Sequence, residues 1–366
     1  MIINLIQDIP TPHNNVLIKE LVKDSGIELK LWYAARSHNQ YGWSKDLSDE
    51  IIKSNIYGYD KVSWDLVRYA LKNRDEKYII IGWGNPTTRA LVLILWLLRR
   101  PFNIWTDLPN DNLKRNIAKK IIREFYYFML KISRTKIFCV GKSTIEYFLK
   151  RGFSEDRLLN LPIFIDIDKI REDYGFNRDD IKKKYCIYDG DLFLLSGSRL
   201  IHEKGFDLLI EAISLLPQNK KSKVKAVIVG KGEEKENLLE LISRYKLKSN
   251  IFIEEWMDIE DFKACIANSD FFIHPARFDA YGNTIYAMGL GTPVIGSFQA
   301  GAANDLVING VNGFLYNSEE TGELARLIEY VFDNRELLKG MSSEAVKASK
   351  KLSPVNGVIT IKEGLI

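Results

Sequence analysis

The sequence predicts an α/β protein of two doubly wound, Rossmann-like domains. Three observations carry that expectation. Apolar runs of strand length alternate with amphipathic helical stretches along nearly the whole chain, the pattern of parallel sheets with helical crossovers. The 366 residues suffice for two full cores. Residues 165–191, between two regular stretches of alternation, are rich in charge and lack a long apolar run, so they read as a hinge. The expected boundaries are 1–168 for an N-terminal domain and 169–350 for a C-terminal one, with 351–366 as a terminal segment.

In the first half, Ile2–Ile6 reads as a strand, Asp8–Asn15 as a loop and Val16–Lys23 as a helix. Strands follow at Glu28–Tyr33, Lys77–Gly82, Phe102–Thr106, Lys136–Val140 and Leu159–Phe164. Helices are expected over Thr87–Arg99, Asp111–Ile132 and Ser143–Lys150. In such a sheet the loops leaving the strands at Asp8–Asn15, Gly82–Asn85 and Thr106–Asp111 line the ligand crevice.

In the second half, strands are expected at Leu192–Leu195, Val224–Val229, Ile251–Ile253 and Phe271–Ile273. Helices are expected at Phe206–Leu216, Glu234–Tyr245 and Asp258–Ala267, and beyond Phe314 the chain reads as helical through Lys351. Two loops stand out. Ser196-Gly197-Ser198-Arg199-Leu200 runs on to Glu203-Lys204-Gly205, placing Arg199 and Lys204 on one glycine-bounded loop after a strand. Arg as a fork and Lys as a point charge suit a diphosphate, although loop cations are often only solvated. After Phe271–Ile273, His274-Pro275 cannot continue a ladder, and a polar loop with Asp279 and Gly282 comes next. Asn283 or Thr284 can cap a short helix that Gly289 and Gly291 stop, before a strand at Pro293-Val294-Ile295. A helix N-terminus fed by such a loop can take an anion, but the same pattern fits a βαβ unit with no ligand.

Composition is that of an ordinary globular protein, with 46% apolar and 27% charged residues. The sequence shows no signal peptide, repeat or low-complexity tract. Cys139, Cys186 and Cys265 lie far apart and suggest neither a disulfide framework nor a metal site, so a reducing cytoplasm is the simplest reading. The four histidines are scattered, and His13 and His274, though beside site loops, read as structural or exposed. Charge is uneven. Residues 1–165 hold 26 Lys+Arg against 17 Asp+Glu, a net of +9, and the total of +4 leaves −5 for the rest. The excess centres on Lys114, Arg115, Lys119, Lys120, Arg123, Lys131, Arg134 and Lys136, opposed only by Glu124 and interleaved with Phe125–Leu130. A basic helix with an apolar face suits an anionic membrane surface, so peripheral contact through helix 111–136 is expected. Burial of the apolar residues as core is the alternative. Nucleic acid could use the same charge, but no recognition motif accompanies it.

Three further segments complete a pattern: Val229-Gly230-Lys231-Gly232, Gly301-Ala302-Ala303-Asn304-Asp305, and Asn309-Gly310-Val311-Asn312-Gly313. With the Arg199–Lys204 and Asp279–Met288 loops, they resemble the nucleotide-sugar half of family 4 glycosyltransferases of the GT-B fold, and the likeness extends over nearly the whole chain. The resemblance implies two domains facing across a cleft, with a nucleotide-diphosphate sugar (UDP- or GDP-hexose) in the C-terminal one and the acceptor in the N-terminal one. It also implies that residues 351–366 cross back to the first domain. The implied reaction is hexosyl transfer with retention, without metal or cofactor, to a saccharide or lipid-linked saccharide in surface glycan synthesis (lipopolysaccharide, capsule or exopolysaccharide). The implied place is the cytoplasm, at the inner face of the plasma membrane.

Residue by residue, the resemblance places Arg199 and Lys204 on the diphosphate and Asp279 on the donor sugar. It surrounds them with Gly197, Ser198, Gly230, Lys231, Glu254, Tyr281, Gly282, Asn283, Thr284 and Tyr286. Asp107 stands where the family has a residue near the transferred sugar, though it could equally cap the next helix. Two departures stand out. Pro10–Asn15 has prolines and asparagines where glycines are usual, and Tyr286 occupies the place of a second acid that holds the ribose. Two alternatives therefore stay open: a nucleotide-sugar-binding subunit without turnover, and a nucleotide-sugar epimerase on the same fold.

Overall fold

The computed structural model describes residues 1–36, 52–111, 113, 115–172 and 178–365. The chain divides into two compact units, Met1–Phe164 with Pro354–Ile366, and Ile165–Ser353.

The first unit holds seven parallel strands: β1 Ile2–Gln7, β2 Glu28–Tyr33, β3 Asn55–Ile56, β4 Lys77–Ile81, β5 Asn103–Thr106, β6 Ile137–Cys139 and β7 Leu158–Asn160. Their order is β3-β2-β1-β4-β5-β6-β7. The strands are buried on both faces because helices cover both, which is why they read as continuous apolar runs. The first helix begins at Pro12 rather than Val16: the Thr11 side chain accepts from the Asn14 amide, and proline suits the first turn, where no N–H is needed. The expected long helix from Asp111 begins only at Ile117, with Asn116 accepting from Lys119 N. Strand β7 ends at Asn160, short of the expected Phe164. Helix Pro354–Leu365 belongs to this unit, and Gly364 lets it approach Phe138 and Leu159 so closely that a Cβ would collide with them.

The second unit has six parallel strands: β8 Leu192–Gly197, β9 Val224–Val229, β10 Ile251–Glu254, β11 Phe271–His274, β12 Val294–Ser297 and β13 Gly313–Tyr316. Their order is β10-β9-β8-β11-β12-β13. Strand β13 lies where helix was expected to begin, and Asn334 divides the helical stretch beyond it into Thr321–Asp333 and Leu337–Ser349. The expected hinge holds helices Ile167–Glu172 and Arg178–Lys184, with 173–177 outside the described residues. Gly289 does not stop its helix. Thr284–Leu290 runs through it, and a Cβ there would meet Ile170 at 2.8 Å and Ile165 at 3.0 Å; Gly291, at φ +89°, makes the stop.

Candidate active site

In a doubly wound sheet, ligands gather where the strand order reverses. In the second unit that point lies between β8 and β11, and both notable loops leave there. Strand β8 delivers Ser198–Ile201, a short turn His202–Lys204, then Gly205 in the left-handed region at φ +66°. Strand β11 delivers Pro275–Asn283. The two loops are clamped together. Arg277 N and Phe278 N donate to Glu203 O at 2.8 and 3.0 Å, and the Arg277 guanidinium forks onto Asp207 at 2.7 and 2.6 Å while also reaching His202 O. A Cβ at Gly205 would overlap the Pro275 carbonyl, so only glycine allows this approach.

The clamp brings Lys204 to Asp279. Lys204 Nζ lies 2.5 Å from Asp279 Oδ2, and His274 Nε2 lies 3.0 Å from the same oxygen. His274 Nδ1 is 2.8 Å from Thr284 Oγ1, and Tyr281 N donates to Asp279 Oδ1. With Nε2–H donating to the carboxylate, Nδ1 accepts from the Thr284 hydroxyl. Lys204, His274, Asp279 and Thr284 are all buried. Burial alone would raise the Asp279 pKa, but the His274 hydrogen bond and the Lys204 charge outweigh it and hold the carboxyl well below the usual range. Gly282 sits at φ +93°, and a Cβ on it would stand 2.6 Å from His274 Cε1 and 2.7 Å from Asp279 Oδ2. The tight turn over the carboxylate therefore requires glycine.

Other residues singled out from sequence gather around this core. The Asn283 side chain does not cap its helix; it crosses to donate to Gly197 O at 2.8 Å, tying the two strand ends together. Ser198 N donates to Val229 O, and Gly230 packs so tightly on the Ser198 carbonyl that a Cβ would overlap it. Arg199 is exposed and makes no ion pair among the described residues, which leaves its fork open to an anion. Tyr281 is buried with its hydroxyl unpartnered. Tyr286 is half-buried, and burial pushes its phenol up to about 12.

In the second unit two of the expected side chains are engaged elsewhere, although Lys231 O accepts from Leu200 N at 2.8 Å and so ties its backbone to the cation loop. Lys231 lies over the Trp256 ring at 6.0 Å, and Glu254, on edge strand β10, takes Lys184 at 3.0 Å and the Tyr185 hydroxyl at 3.1 Å. Asp107 belongs to the first unit, exposed after β5, and does not cap the next helix, whose cap is Asn116.

Sequence reasoning discounted His274, which links Asp279 to Thr284. Its position as the last residue of β11, five before Asp279 and ten before Thr284, was the available signal. Asp8 was also passed over. At the reversal point of the first sheet, between β1 and β4, Asp8 Oδ1 takes Asn85 Nδ2 at 2.5 Å, and the same nitrogen lies 2.9 Å from Tyr57 Oη.

Two Rossmann-like units of this kind define the GT-B fold. Solved structures agree: HepE of Anabaena, crystallised with UDP, matches with a TM-score of 0.78 at 19% identity, covering 99% of each chain. The lipopolysaccharide outer core galactosyltransferase WaaB matches with a TM-score of 0.75 at 14% identity, covering 100% of this chain and 99% of that one. Residues 177–348, most of the second unit, match the model of glycosyl transferases group 1. The chain is 25% identical over 307 residues to the chitobiosyldiphosphodolichol beta-mannosyltransferase of Candida albicans, across 75% of this chain and 65% of the relative. It is 23% identical over 283 residues to the capsular polysaccharide biosynthesis glycosyltransferase CapM of Staphylococcus aureus, across 74% and 72%. An uncharacterized glycosyltransferase of Methanocaldococcus jannaschii is 30% identical over 201 residues, so the chain spans only 49% of that relative's length.

Proposed function

We propose that the chain is a retaining hexosyltransferase that moves a sugar from a nucleoside-diphosphate sugar to a saccharide or lipid-linked saccharide in surface glycan synthesis. The observation that carries this is the buried Lys204–Asp279–His274 cluster beside the open fork of Arg199 at the switch point. Arg199 and Lys204 offset charge developing on the leaving diphosphate, and the amides at Gly282–Thr284 add to the same field. Asp279, oriented by His274, accepts hydrogen bonds from the sugar hydroxyls. Asp107 is the further candidate for orienting donor or acceptor. UDP in the Anabaena neighbour makes uridine the first base to test, with GDP beside it.

A binding-only reading is favoured by one observation, the phenol of Tyr286 where an acid would grip the ribose. Calorimetry with UDP, GDP and their hexose conjugates, on wild type and on R199A/K204A, tests the donor site. Loss of binding in the double variant supports it, and no binding by wild type at millimolar concentration ends it. Transfer to membrane glycolipids then separates turnover from binding alone.

A further inference from the structure

The expected basic helix has a property its sequence did not disclose. Its aromatic run is split. Tyr126, Tyr127, Met129 and Leu130 are core, whereas Phe125 and Phe128 point outward. They join three isoleucines in one row: Ile117 is 76% exposed, Ile121 64%, Phe125 46%, Phe128 57% and Ile132 56%. At 3.6 residues per turn, these five fall within an arc of about 80°, opposite the buried face, along about 22 Å of helix. A surface helix ordinarily shows one apolar stripe; this one shows two. Lys120 and Lys131 lie within about 60° of one border of the outer stripe. Both are exposed, as are Lys119 and Arg134, and none of the four has an ion-pair partner among the described residues. Lys114, counted with them in the sequence, lies outside the described residues. The one acid on the helix, Glu124, sits on the same border, exposed, and is paired with Arg151 at 2.9 Å. Arg151 itself stacks on Tyr127 and Tyr147 and, like Arg123, reaches Asp111, so the helix is fixed to its scaffold with the stripe outward.

We propose that this outer stripe docks the protein on an anionic lipid bilayer, the helix lying flat with its isoleucines and phenylalanines among the acyl chains and its lysines at the headgroups. Charge decides the occupant. A row of large apolar side chains bordered by unpaired cations, its one acid neutralised, complements an apolar layer beneath a negative surface. A second copy of the same face would set like charges against each other. Among the described residues no helix is long and apolar enough to cross a membrane, so this is attachment rather than insertion.

The helix also packs against the segment that leaves β4. Tyr127 meets Trp83, just past β4, and Tyr126 Oη donates to Arg89 O, near the start of helix Pro86–Leu97. Both contacts seat the helix beside residues 83–89, the segment after β4 that includes Asn85, the partner of Asp8. A docked bilayer lies beside that segment, which favours a lipid-linked acceptor. That last step rests on the transferase reading; docking itself does not.

The test is co-sedimentation of the full chain with vesicles of phosphatidylcholine plus phosphatidylglycerol, and of phosphatidylcholine alone, at low and high salt. Wild type should bind the anionic vesicles and be released by salt. F125S/F128S should weaken partitioning by about tenfold or more, and K120E/K131E by a similar factor at low salt. Both variants should keep the wild-type melting temperature and nucleotide binding, which separates lost docking from lost fold. Variants that bind vesicles like wild type overturn the proposal. So does a wild type that stays off anionic vesicles, whether as a monomer or as a dimer closed over the stripe. Absence of sugar transfer by a wild type that docks counts against the transferase reading alone.

Discussion

Replacing Asp279 by Asn should separate nucleotide affinity from turnover, moving them in opposite directions. In the free protein Lys204 is already neutralised by Asp279 at 2.5 Å. A diphosphate entering beside Arg199 must share that ammonium and approach the carboxylate. Removing one partner of a buried pair costs about 3–5 kcal/mol, and retained hydrogen bonding of the amide puts the expectation near the lower figure. For a unit of this size each kcal/mol lowers the melting temperature by about 2–4 °C, so D279N should melt roughly 6–12 °C lower. Lys204 is then a buried cation without a counter-ion, and a diphosphate supplies one. If half of the cost returns on binding, about 1.5 kcal/mol, UDP or GDP binds about tenfold tighter. The added nucleotide should recover part of the melting temperature. Sugar transfer should fall if, as proposed, Asp279 is the group that accepts from the sugar hydroxyls. Calorimetry and a melting series with nucleotide check this together. A folded D279N that binds UDP or GDP no better than wild type would refute the view that Asp279 competes with diphosphate for Lys204.

The same geometry sets three further expectations. Acid should weaken the fold through Asp279: its folded-state pKa is depressed, so its contribution is fully present above about pH 4 and is lost as pH falls below that, and D279N should melt with a flatter slope in that range. Gly282→Ala should destabilise by about 1–3 kcal/mol, because φ +93° disfavours a side chain and the Cβ presses on His274 and Asp279; denaturant melts report it, and a neutral result would mean that the turn is not constrained. Arg277→Ala removes the forked pair to Asp207 and unclamps the Lys204 loop; nucleotide binding should weaken several-fold although Arg277 lies outside the candidate donor contacts, and unchanged affinity would show that the loop holds its place without the clamp.

Much of the fold was legible because buried parallel strands announce themselves as short apolar runs. Errors came where local chemistry competes with periodicity. Pro12 looked like loop, but a proline in the first turn behind Thr11 extends the helix. Gly289 looked like a stop, but here small size serves packing against Ile165 and Ile170. Strand β13 was hidden because four residues beside glycine carry little pattern of their own. The outer stripe of helix Ile117–Ile132 was legible only as a choice between membrane face and core: the sequence offers apolar residues for both, and only the neighbours show which of them are covered.

The site's charges were legible as residue types but not as a circuit. Read along the chain, Lys204 and Asp279 serve two parts of one ligand, phosphate and sugar. Folded, they serve each other first, and His274 and Thr284 hold the carboxylate on its far side. A cation buried with its own counter-ion avoids the desolvation cost of waiting for a ligand uncompensated. On the proposed reading, the expected consequence is selectivity by the whole donor. A bare phosphate gains Lys204 only by competing with Asp279, whereas a diphosphate carrying a sugar offers hydroxyls to Asp279 at the same moment as it offers oxygens to Lys204. Both members of the pair then exchange one partner for another, and neither is left alone. On the proposed donor reading, such an arrangement would favour the intact nucleotide sugar over its fragments; in the protein itself the Lys204–Asp279 pair is a structural element that holds together the loops leaving β8 and β11.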